Sequence, residues 1–337
     1  TGIKNIQGNI VADMSAYDLT GVNPKWTWDD IGNYYAPGIY GISYLDNTLK
    51  VSFKTTEPGN LSVITGTNPV IPGMIIDNQV KGTTTKSDNA YFFGSPGVNY
   101  RQVTGEIPAN KDNFVVKADI PRPGWLLALH LKNALSANGI KISGLPTDTL
   151  PKSVTTRKNI YTHISPPLSE IIRETNVKSN NHYAEQLFRH IGLKKNKVST
   201  VQNSIEEVRK LWKSKGLPTD QLFMHDGSGL SPNNGVSAEF FTELMYYMYT
   251  QSKYKDTFLQ SLAVAGQSGS LTNMLKKSRL EGKVFGKSGT IDQVKCYSGY
   301  ILTVNQQYAF TVMVNFANAG SAQVLSKIEQ FLLEITK

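Results

Sequence analysis

The most regular part of this 337-residue chain opens with Gly286-Lys287-Ser288-Gly289-Thr290-Ile291. Residues 294–304 and 308–316 follow, separated by Asn305-Gln306-Gln307, and their composition predicts an antiparallel strand pair. Residues 322–335 then carry apolar side chains at helical spacing, which predicts an amphipathic closing helix. The opening stretch is therefore expected to begin a strand that leads into a sheet next to the last helix.

The residue types on this strand suit the binding of a carboxylate. Lys287 offers a fixed positive charge, and the hydroxyls of Ser288 and Thr290 can share the anion through charge-assisted hydrogen bonds. Gly289 has no side chain, so an extended peptide can approach the strand backbone and pair with it. Taken alone, the segment is also compatible with a simple turn into a strand.

The same stretch contains Gly-Lys-Ser, the ending of a phosphate-binding loop. The opening glycine of such a loop would lie five residues before Gly286, where this chain has Glu281. A strand is predicted after the stretch, whereas a phosphate-binding loop leads into a helix. Nucleotide binding is therefore rejected.

A second candidate motif is Ser179-Asn180-Asn181, which lies between two predicted helices. A serine hydroxyl there can relay a proton between a nucleophile and a leaving amine. The Asn181 carboxamide can accept from a lysine and donate to a substrate carbonyl. The alternative is a helix cap, for which serine and asparagine are favoured. Lys287 follows 106 residues after Asn181, and this order matches two of the three motifs of penicillin-recognising serine enzymes.

Further segments, in order along nearly the whole chain, resemble the penicillin-binding protein 4 type of D-Ala-D-Ala carboxypeptidase/endopeptidase, a class C low-molecular-mass penicillin-binding protein. The matching segments are Gly8 to Asp13, Trp26 to Tyr35, Ser179 to Asn181 with Ala184-Glu185, Asp226 to Ser231, Leu262 to Gly266, Gly269 to Leu271, Gly286 to Thr290 and Ser298 to Tyr300.

The resemblance implies an α+β fold: a penicillin-binding transpeptidase/β-lactamase-like domain, with an antiparallel sheet flanked by helices, and an inserted β-rich module. The expected activity is that of a serine-type hydrolase that forms an acyl-enzyme with D-Ala-D-Ala stem peptides of peptidoglycan and is inhibited by β-lactams. No cofactor is implied. Such a protein is bacterial and exported, and it acts in the periplasm or at the cell wall.

The resemblance also implies roles for individual residues. Ser179 relays protons, and Asn181 positions the substrate amide and the catalytic lysine. Lys287, Ser288 and Thr290 hold the terminal carboxylate of the substrate beside Gly289. The backbone N–H of Thr290 supplies half of the oxyanion hole. Asp13 matches an acidic position near the side chain of the third stem-peptide residue, although it could equally stabilise a turn.

The chain departs from the family pattern in two ways. Ser288 replaces the commoner threonine but keeps the hydroxyl. The nucleophile motif Ser-x-x-Lys is absent before Ser179, and without it acylation is not expected. The only Ser-x-x-Lys in the chain is Ser252-Lys253-Tyr254-Lys255, which follows Ser179 and lies in a polar, loop-like stretch.

Three interpretations remain open at this stage. The first is a piece of a longer serine D,D-peptidase, with residues 1–337 inactive alone. The second is a nucleophile-less homologue that binds peptidoglycan peptides without cleaving them. The third is a hydrolase of the same fold that acts on β-lactams or esters. The balance of carboxypeptidase and endopeptidase action, the third stem residue and the oligomeric state are left open by the sequence.

Two regions differ in composition. Residues 1–150 are predicted to be mainly the inserted β-rich module, with a hairpin from residues 38–45 and 48–54, a strand at 113–120 and a helix at 125–138 that stops at Gly139. Residues 151–337 are predicted to form the C-terminal part of the transpeptidase-like domain. Its helices are expected at 166–175, 181–190, 204–216 (opened by a capping box at Ser204) and 238–249 (capped by Ser237).

Composition and charge exclude several other classes of protein. The net charge is +9, but the basic residues are scattered and no aromatic-basic recognition motif accompanies them, so nucleic acid is not an expected partner. No apolar run reaches the length of a membrane span. Cys296 is the only cysteine, which rules out a disulfide within the chain. Metal binding is not expected, because no zinc spacing involves the five histidines, His130, His163, His182, His190 and His225.

Overall fold

The architecture is taken from a computed structural model that describes residues 2–150 and 156–337. The chain divides into two compact units. The first comprises Thr1–His163 and Gly192–Thr200, and the second comprises Ile164–Ile191 and Val201–Lys337. The boundary expected from composition adjoins residues 151–155, which lie outside the described residues. The assignment of residues 1–150 to an inserted module remains a prediction.

The first unit is built from strands and one long helix. Its elements are β1 (Asn5–Ile6), β2 (Ile10–Val11), β3 (Thr48–Thr55), β4 (Val63–Asn68), β5 (Ile75–Thr83), β6 (Asn89–Phe93), β7 (Tyr100–Pro108), β8 (Lys111–Asp119), α1 (Pro123–Ala137), β9 (Lys141–Ile142) and β10 (Pro146–Thr147). One antiparallel sheet has the order β4-β3-β8. A second has the order β5-β7-β6, with β5 and β7 parallel. Two short parallel pairs join β1 to β9 and β2 to β10.

The core of the first unit lies where these strands and α1 meet. Along β3, buried residues alternate with exposed or half-buried ones, as expected for a strand with one face on a core. The buried core residues include Leu49, Val51, Phe53, Val80, Phe92, Val103, Ile107, Val116 and Leu126. A buried ion pair accompanies them, with Arg101 Nε 2.6 Å from Asp119 Oδ1.

The predicted hairpin across residues 38–54 is wrong. Its second arm forms β3, but residues 38–45 form no strand, and β3 pairs with β4 and β8 instead. Leu45 to Asn47 all have a left-handed φ of 50–54° and form a 3-10 turn. The buried Asn47 amide donates to the Gly38 carbonyl and accepts from the Tyr44 N–H. This side chain replaces the backbone pairing that a hairpin would need.

Two other predictions for this region are confirmed. The strand expected at 113–120 is β8, and the helix expected at 125–138 is α1. Gly139 lies just beyond the helix with a φ of +80°, the left-handed conformation that commonly ends helices.

The chain from residue 164 onward contains most of the helices. Its elements are α2 (Leu168–Lys178), α3 (Asn181–Leu193), α4 (Val201–Lys213), β11 (Leu222–Phe223), β12 (Gly235–Val236), α5 (Ala238–Thr250), α6 (Lys255–Ser261), β13 (Ala263–Val264), β14 (Val284–Ile291), β15 (Val294–Leu302), β16 (Gln307–Asn315) and α7 (Ser321–Glu334). The main sheet is antiparallel, with the order β13-β14-β15-β16.

Helices cover both faces of this sheet. Ile301 on β15 belongs to the cluster that contains Val324, Ile328 and Leu332 of α7. The neighbouring Tyr300 points to the opposite face, where it packs with Met245 of α5. The α+β fold class with helices flanking an antiparallel sheet is confirmed. The terminal strand pair and closing helix also form, as β15, β16 and α7.

The helix predictions hold except at some ends. Ser237 caps α5, because its Oγ accepts from Phe240 N at 2.9 Å. α2 continues three residues beyond the predicted end at Thr175. The capping box at Ser204 is wrong, since α4 begins at Val201 and Ser204 is fully buried inside the first turn.

Candidate active site

The candidate site is built on β14, whose outer edge is open along most of its length. β13 pairs only with Phe285 and Gly286, so in the described part of the chain no strand pairs with residues 287–291 on that side. At Gly286 an added Cβ would lie 2.9 Å from the Ser298 carbonyl oxygen, so the close approach of β15 requires glycine. At Gly289 an added Cβ would meet only Cys296 Cβ, at 3.9 Å. The neighbouring strand therefore does not require glycine at residue 289.

The structure brings Ser179 and Lys287 into direct contact. Lys287 Nζ donates to Ser179 Oγ at 2.7 Å and to the Ser288 carbonyl at 2.5 Å. Ser179 and Asn180 lie between α2 and α3, and the φ of 54° and ψ of 48° of Ser179 are left-handed. This conformation ends α2 and leaves Ser179 exposed beside the strand.

The left-handed conformation of Ser179 leads to a stability prediction. Glycine adopts this conformation without steric cost, so we expect Ser179→Gly to be more stable than Ser179→Ala by about 1 kcal/mol. Urea denaturation of the two variants measures the difference. Equal stabilities would contradict the strain at Ser179.

The surroundings of Lys287 favour the neutral form of its amine over the charged form. Burial lowers the pKa of its ammonium group from the ordinary 10.5 to about 8. The amine is therefore near its titration point just above neutral pH, and a bound anion would restore its charge.

The lowered pKa of Lys287 can be measured directly. In an NMR titration of the lysine side chains, we expect the Lys287 signal to titrate near pH 8. A Lys287→Arg variant assigns this signal. A Lys287 titration above pH 10 would contradict its burial.

Ser288 contacts a residue for which the sequence predicted no role. Its hydroxyl donates to Ser270 Oγ at 2.7 Å. Ser270 lies in the 3-10 turn Gly269–Leu271, where an added Cβ on Gly269 would lie 2.3 Å from the Val177 carbonyl oxygen. This turn therefore packs closely against α2, the helix that ends at Ser179. Ser270 lies within Gly269 to Leu271, one of the segments that resemble the family, but a lone serine gives no signal by itself.

Asn181 is the first residue of α3, and one turn later the helix carries the buried Glu185. Glu185 Oε1 accepts from Gly227 N at 2.8 Å, from Ser228 N at 2.8 Å and from Ser228 Oγ at 2.7 Å. Burial, together with the neighbouring Asp226, raises the pKa of this carboxyl to about 7. Glu185 therefore holds the loop 226–231 to the helix that begins at Asn181.

Asp226 organises the same loop from within. Its carboxylate accepts from Gly229 N at 2.8 Å, from Ser231 N at 2.6 Å and from Asn234 Nδ2 at 2.8 Å. These contacts suit the structural role expected for the Asp226-Gly227-Ser228-Gly229 segment.

Asp13 belongs to the first compact unit, whereas the other candidate residues belong to the second. Its carboxylate accepts from Ser15 N, from Ser15 Oγ and from Arg157 Nη1, the last at 2.9 Å. The hydrogen bond from the Ser15 hydroxyl, helped by Arg157, lowers the pKa of Asp13. A contact with a stem peptide remains a prediction.

Ser252, the serine of the Ser-x-x-Lys sequence at residues 252–255, does not take part in the hydrogen bonds described for the candidate site. Ser252 lies in the turn after α5, and its hydroxyl accepts from Tyr254 N at 3.2 Å. Over residues 2–150 and 156–337, no group of His, Cys, Asp and Glu side chains is arranged to hold a metal ion. Within the same ranges, no helix has the length and apolar character to cross a bilayer.

Solved structures define the class of fold to which this site belongs. The crystal structure of penicillin binding protein 4 (dacB) from Haemophilus influenzae matches with a TM-score of 0.85 and 20% identity, over all of this chain and 76% of that one. The same protein in complex with a β-lactam matches with a TM-score of 0.76 and 21% identity, over 100% and 75%. The fold is that of a penicillin-binding protein.

The chain belongs to the D-Ala-D-Ala carboxypeptidase 3 (S13) family, whose model matches residues 1–335. The D-alanyl-D-alanine carboxypeptidase of Actinomadura sp. (strain R39) is 26% identical over 96% of this chain. The carboxypeptidase DacB of Haemophilus influenzae is 22% identical over 97% of this chain. The chain spans 62% and 68% of the lengths of these two relatives. The family predicted from the motifs is confirmed.

Proposed function

We propose that the chain carries the substrate-binding part of a serine D,D-carboxypeptidase/endopeptidase that acts on peptidoglycan stem peptides ending in D-Ala-D-Ala. The observation that carries the proposal is the 2.7 Å contact between Ser179 and Lys287 beside the open edge of β14. An extended peptide can add to that edge, and Lys287 offers a charge for its terminal carboxylate. The membership of the S13 family supports the same substrate class.

The reaction needs a nucleophilic serine that residues 1–337 do not supply in a Ser-x-x-Lys motif before Ser179. In the proposed mechanism, that serine lies outside these residues and attacks the penultimate carbonyl, with its proton passing to its own lysine. The C–N bond then breaks, and Ser179, hydrogen-bonded to Lys287, relays a proton to the leaving D-alanine amine. Water hydrolyses the acyl-enzyme in the second half of the reaction.

The remaining candidate residues have binding roles in this proposal. Asn181, at the start of α3, positions the substrate amide, and Ser288 and Thr290 assist Lys287 with the carboxylate. The N–H of Thr290 contributes to the oxyanion hole. Asp13 recognises the third stem residue. Action at the cell wall or in the periplasm, and inhibition by β-lactams, belong to the same proposal.

Labelling with a fluorescent penicillin tests the proposal. The full-length encoded protein is expected to become covalently labelled, and residues 1–337 alone are expected to remain unlabelled. Excess unlabelled benzylpenicillin serves as the competition control. Rapid turnover of penicillin with no cleavage of a D-Ala-D-Ala peptide would favour a β-lactam or ester hydrolase instead.

A binding protein without a nucleophile is the second candidate, favoured by the absence of Ser-x-x-Lys before Ser179. It predicts that the full-length protein binds a D-Ala-D-Ala peptide but is never labelled. Reading the encoded residues on the N-terminal side of Thr1 separates the two candidates.

A further inference from the structure

The first compact unit carries an exposed group of tyrosines and lysines that the proposed reaction does not use. Tyr34 and Tyr91 are 47% and 48% exposed, and Tyr35, next to Tyr34 in the chain, is half-buried. Lys117 on β8 and Lys50 on β3 complete the group, and both are exposed. We call these five residues the tyrosine–lysine surface.

The aromatic members lie close together. The rings of Tyr34 and Tyr35 are 5.5 Å apart, edge to face. Burial raises the pKa of Tyr35, and the nearby Asp30 and Tyr91 raise it further. Asp30 also accepts from the Thr27 hydroxyl at 2.7 Å. Tyr34 and Tyr35 thus form a packed aromatic area, with Tyr91 close to Tyr35.

The two lysines extend this area with unneutralised positive charge. Lys117 Nζ lies 5.2 Å from the centre of the Tyr34 ring, a cation–π contact. Lys50 is directly opposite Lys117 in the β3–β8 pair. Like charges opposite each other destabilise a sheet, and neither lysine forms an ion pair with another described residue. An anionic partner would relieve this repulsion.

The backbone beneath the surface is fixed rather than loose. The buried Asn33 amide donates to the Phe92 carbonyl at 3.1 Å and accepts from Phe92 N at 2.9 Å, which ties the segment to β6. Asp119 N donates to the Gly32 carbonyl at 2.9 Å, which ties it to β8. Gly32 has a φ of +111°, and an added Cβ would lie 2.8 Å from the Phe92 carbonyl oxygen. The backbone that carries Tyr34 and Tyr35 is therefore held in place before any partner binds.

We propose that the tyrosine–lysine surface binds glycan strands of peptidoglycan that have lost their stem peptides, an amino-sugar polymer whose carboxylates are then free. Exposed tyrosine rings can pack against the apolar C–H faces of pyranose rings, and their hydroxyls can bond the sugar oxygens. The lysine pair complements the carboxylates. This inference rests on the proposed function for its choice of polymer, but it uses none of the residues of the β14 site.

Binding of residues 1–337 to peptide-free peptidoglycan glycan strands, measured by calorimetry, tests the inference. Tyr34→Ala and the double variant Lys50→Gln/Lys117→Gln are each expected to weaken binding about tenfold, and salt is expected to weaken the wild type. Tyr34→Phe, which keeps the ring, is expected to restore most of the affinity. Tyr100→Ala and Lys54→Gln are matched controls, because Tyr100 is similarly exposed and Lys54 pairs with Asp112. Circular dichroism melting checks that each variant is folded.

Two results would overturn the inference. One is equal glycan binding by the wild type and the folded surface variants. The other is tight binding of a single-stranded oligonucleotide that depends on these residues, with no glycan binding. Penicillin labelling of the full-length protein reports on the proposed function separately. Labelling without glycan binding overturns only the tyrosine–lysine inference, and glycan binding without labelling overturns only the proposed reaction.

Discussion

Replacing Lys287 with methionine in the full-length encoded protein is expected to slow acylation by a fluorescent penicillin about 10²–10³-fold, the usual cost of one preorganised group that stabilises a transition state. The change removes both the charge that the proposed function assigns to the substrate carboxylate and the hydrogen bond to Ser179. Methionine keeps the apolar stem, so the fold is expected to persist. The measurement is the second-order rate of labelling.

The matched control for this prediction is Lys283→Met, which changes an exposed lysine just before β14 and is expected to label at the wild-type rate. The pH dependence provides a second readout. In the proposed reaction the protonated amine of Lys287 binds the carboxylate. Because the pKa of this amine is about 8, labelling should decline as pH rises through that value. Wild-type labelling by Lys287→Met would remove the lysine from the mechanism.

Removing Glu185 is expected to have the largest effect on stability. Glu185→Ala leaves two loop N–H groups and the Ser228 hydroxyl without their acceptor, which is expected to cost about 3 kcal/mol or more of unfolding free energy. Glu185→Gln keeps an acceptor oxygen and is expected to lose much less near pH 5. Urea denaturation at fixed pH measures both changes.

The pH dependence of Glu185 has a defined sign. Its folded pKa of about 7 lies above the ordinary 4.5, so the folded state favours the protonated carboxyl. This contribution is fully present below pH 4.5 and is lost as pH rises through 7, about 3 kcal/mol in all. The wild type should therefore lose stability over this range relative to Glu185→Gln.

Glu174→Gln, which changes a partly exposed carboxylate on α2, is the control for this pH dependence. It should follow the wild-type curve. A pH dependence of Glu185→Gln identical to that of the wild type would show that the buried carboxyl does not titrate in this range.

The sequence predicted the parts of the fold that depend on local periodicity and caps. β15, β16 and α7 have strong alternation or helical spacing, and Ser237 has a simple capping role. The hairpin prediction was wrong because the Asn47 side chain makes hydrogen bonds that a pair of backbone groups would otherwise make. Whether a side chain can replace the backbone pairing in this way depends on the three-dimensional position of Gly38, which a local sequence pattern does not indicate.

The candidate site, like the fold, was predictable from the sequence only in part. The motif order was sufficient to place Ser179 and Lys287 in one site, and the structure joins them across 108 residues of sequence. Glu185 and Ser270 received no role because their partners, Ser228 and Ser288, lie 43 and 18 residues away. Only a folded chain shows that a carboxylate on α3 faces the 226–231 loop.

The two glycines of β14 separate the requirements of folding from those of recognition. At Gly286 any side chain collides with the backbone of β15, so a saturation library at this position should yield few soluble variants. At Gly289 the neighbouring strand leaves room for a methyl group. Protein variants at residue 289 should therefore be abundant in cells, but few of them should be recovered among the proteins that retain penicillin. Gly286 and Gly289 are three residues apart on one strand. Mutational scanning would nevertheless report on protein abundance at residue 286 and on drug susceptibility at residue 289.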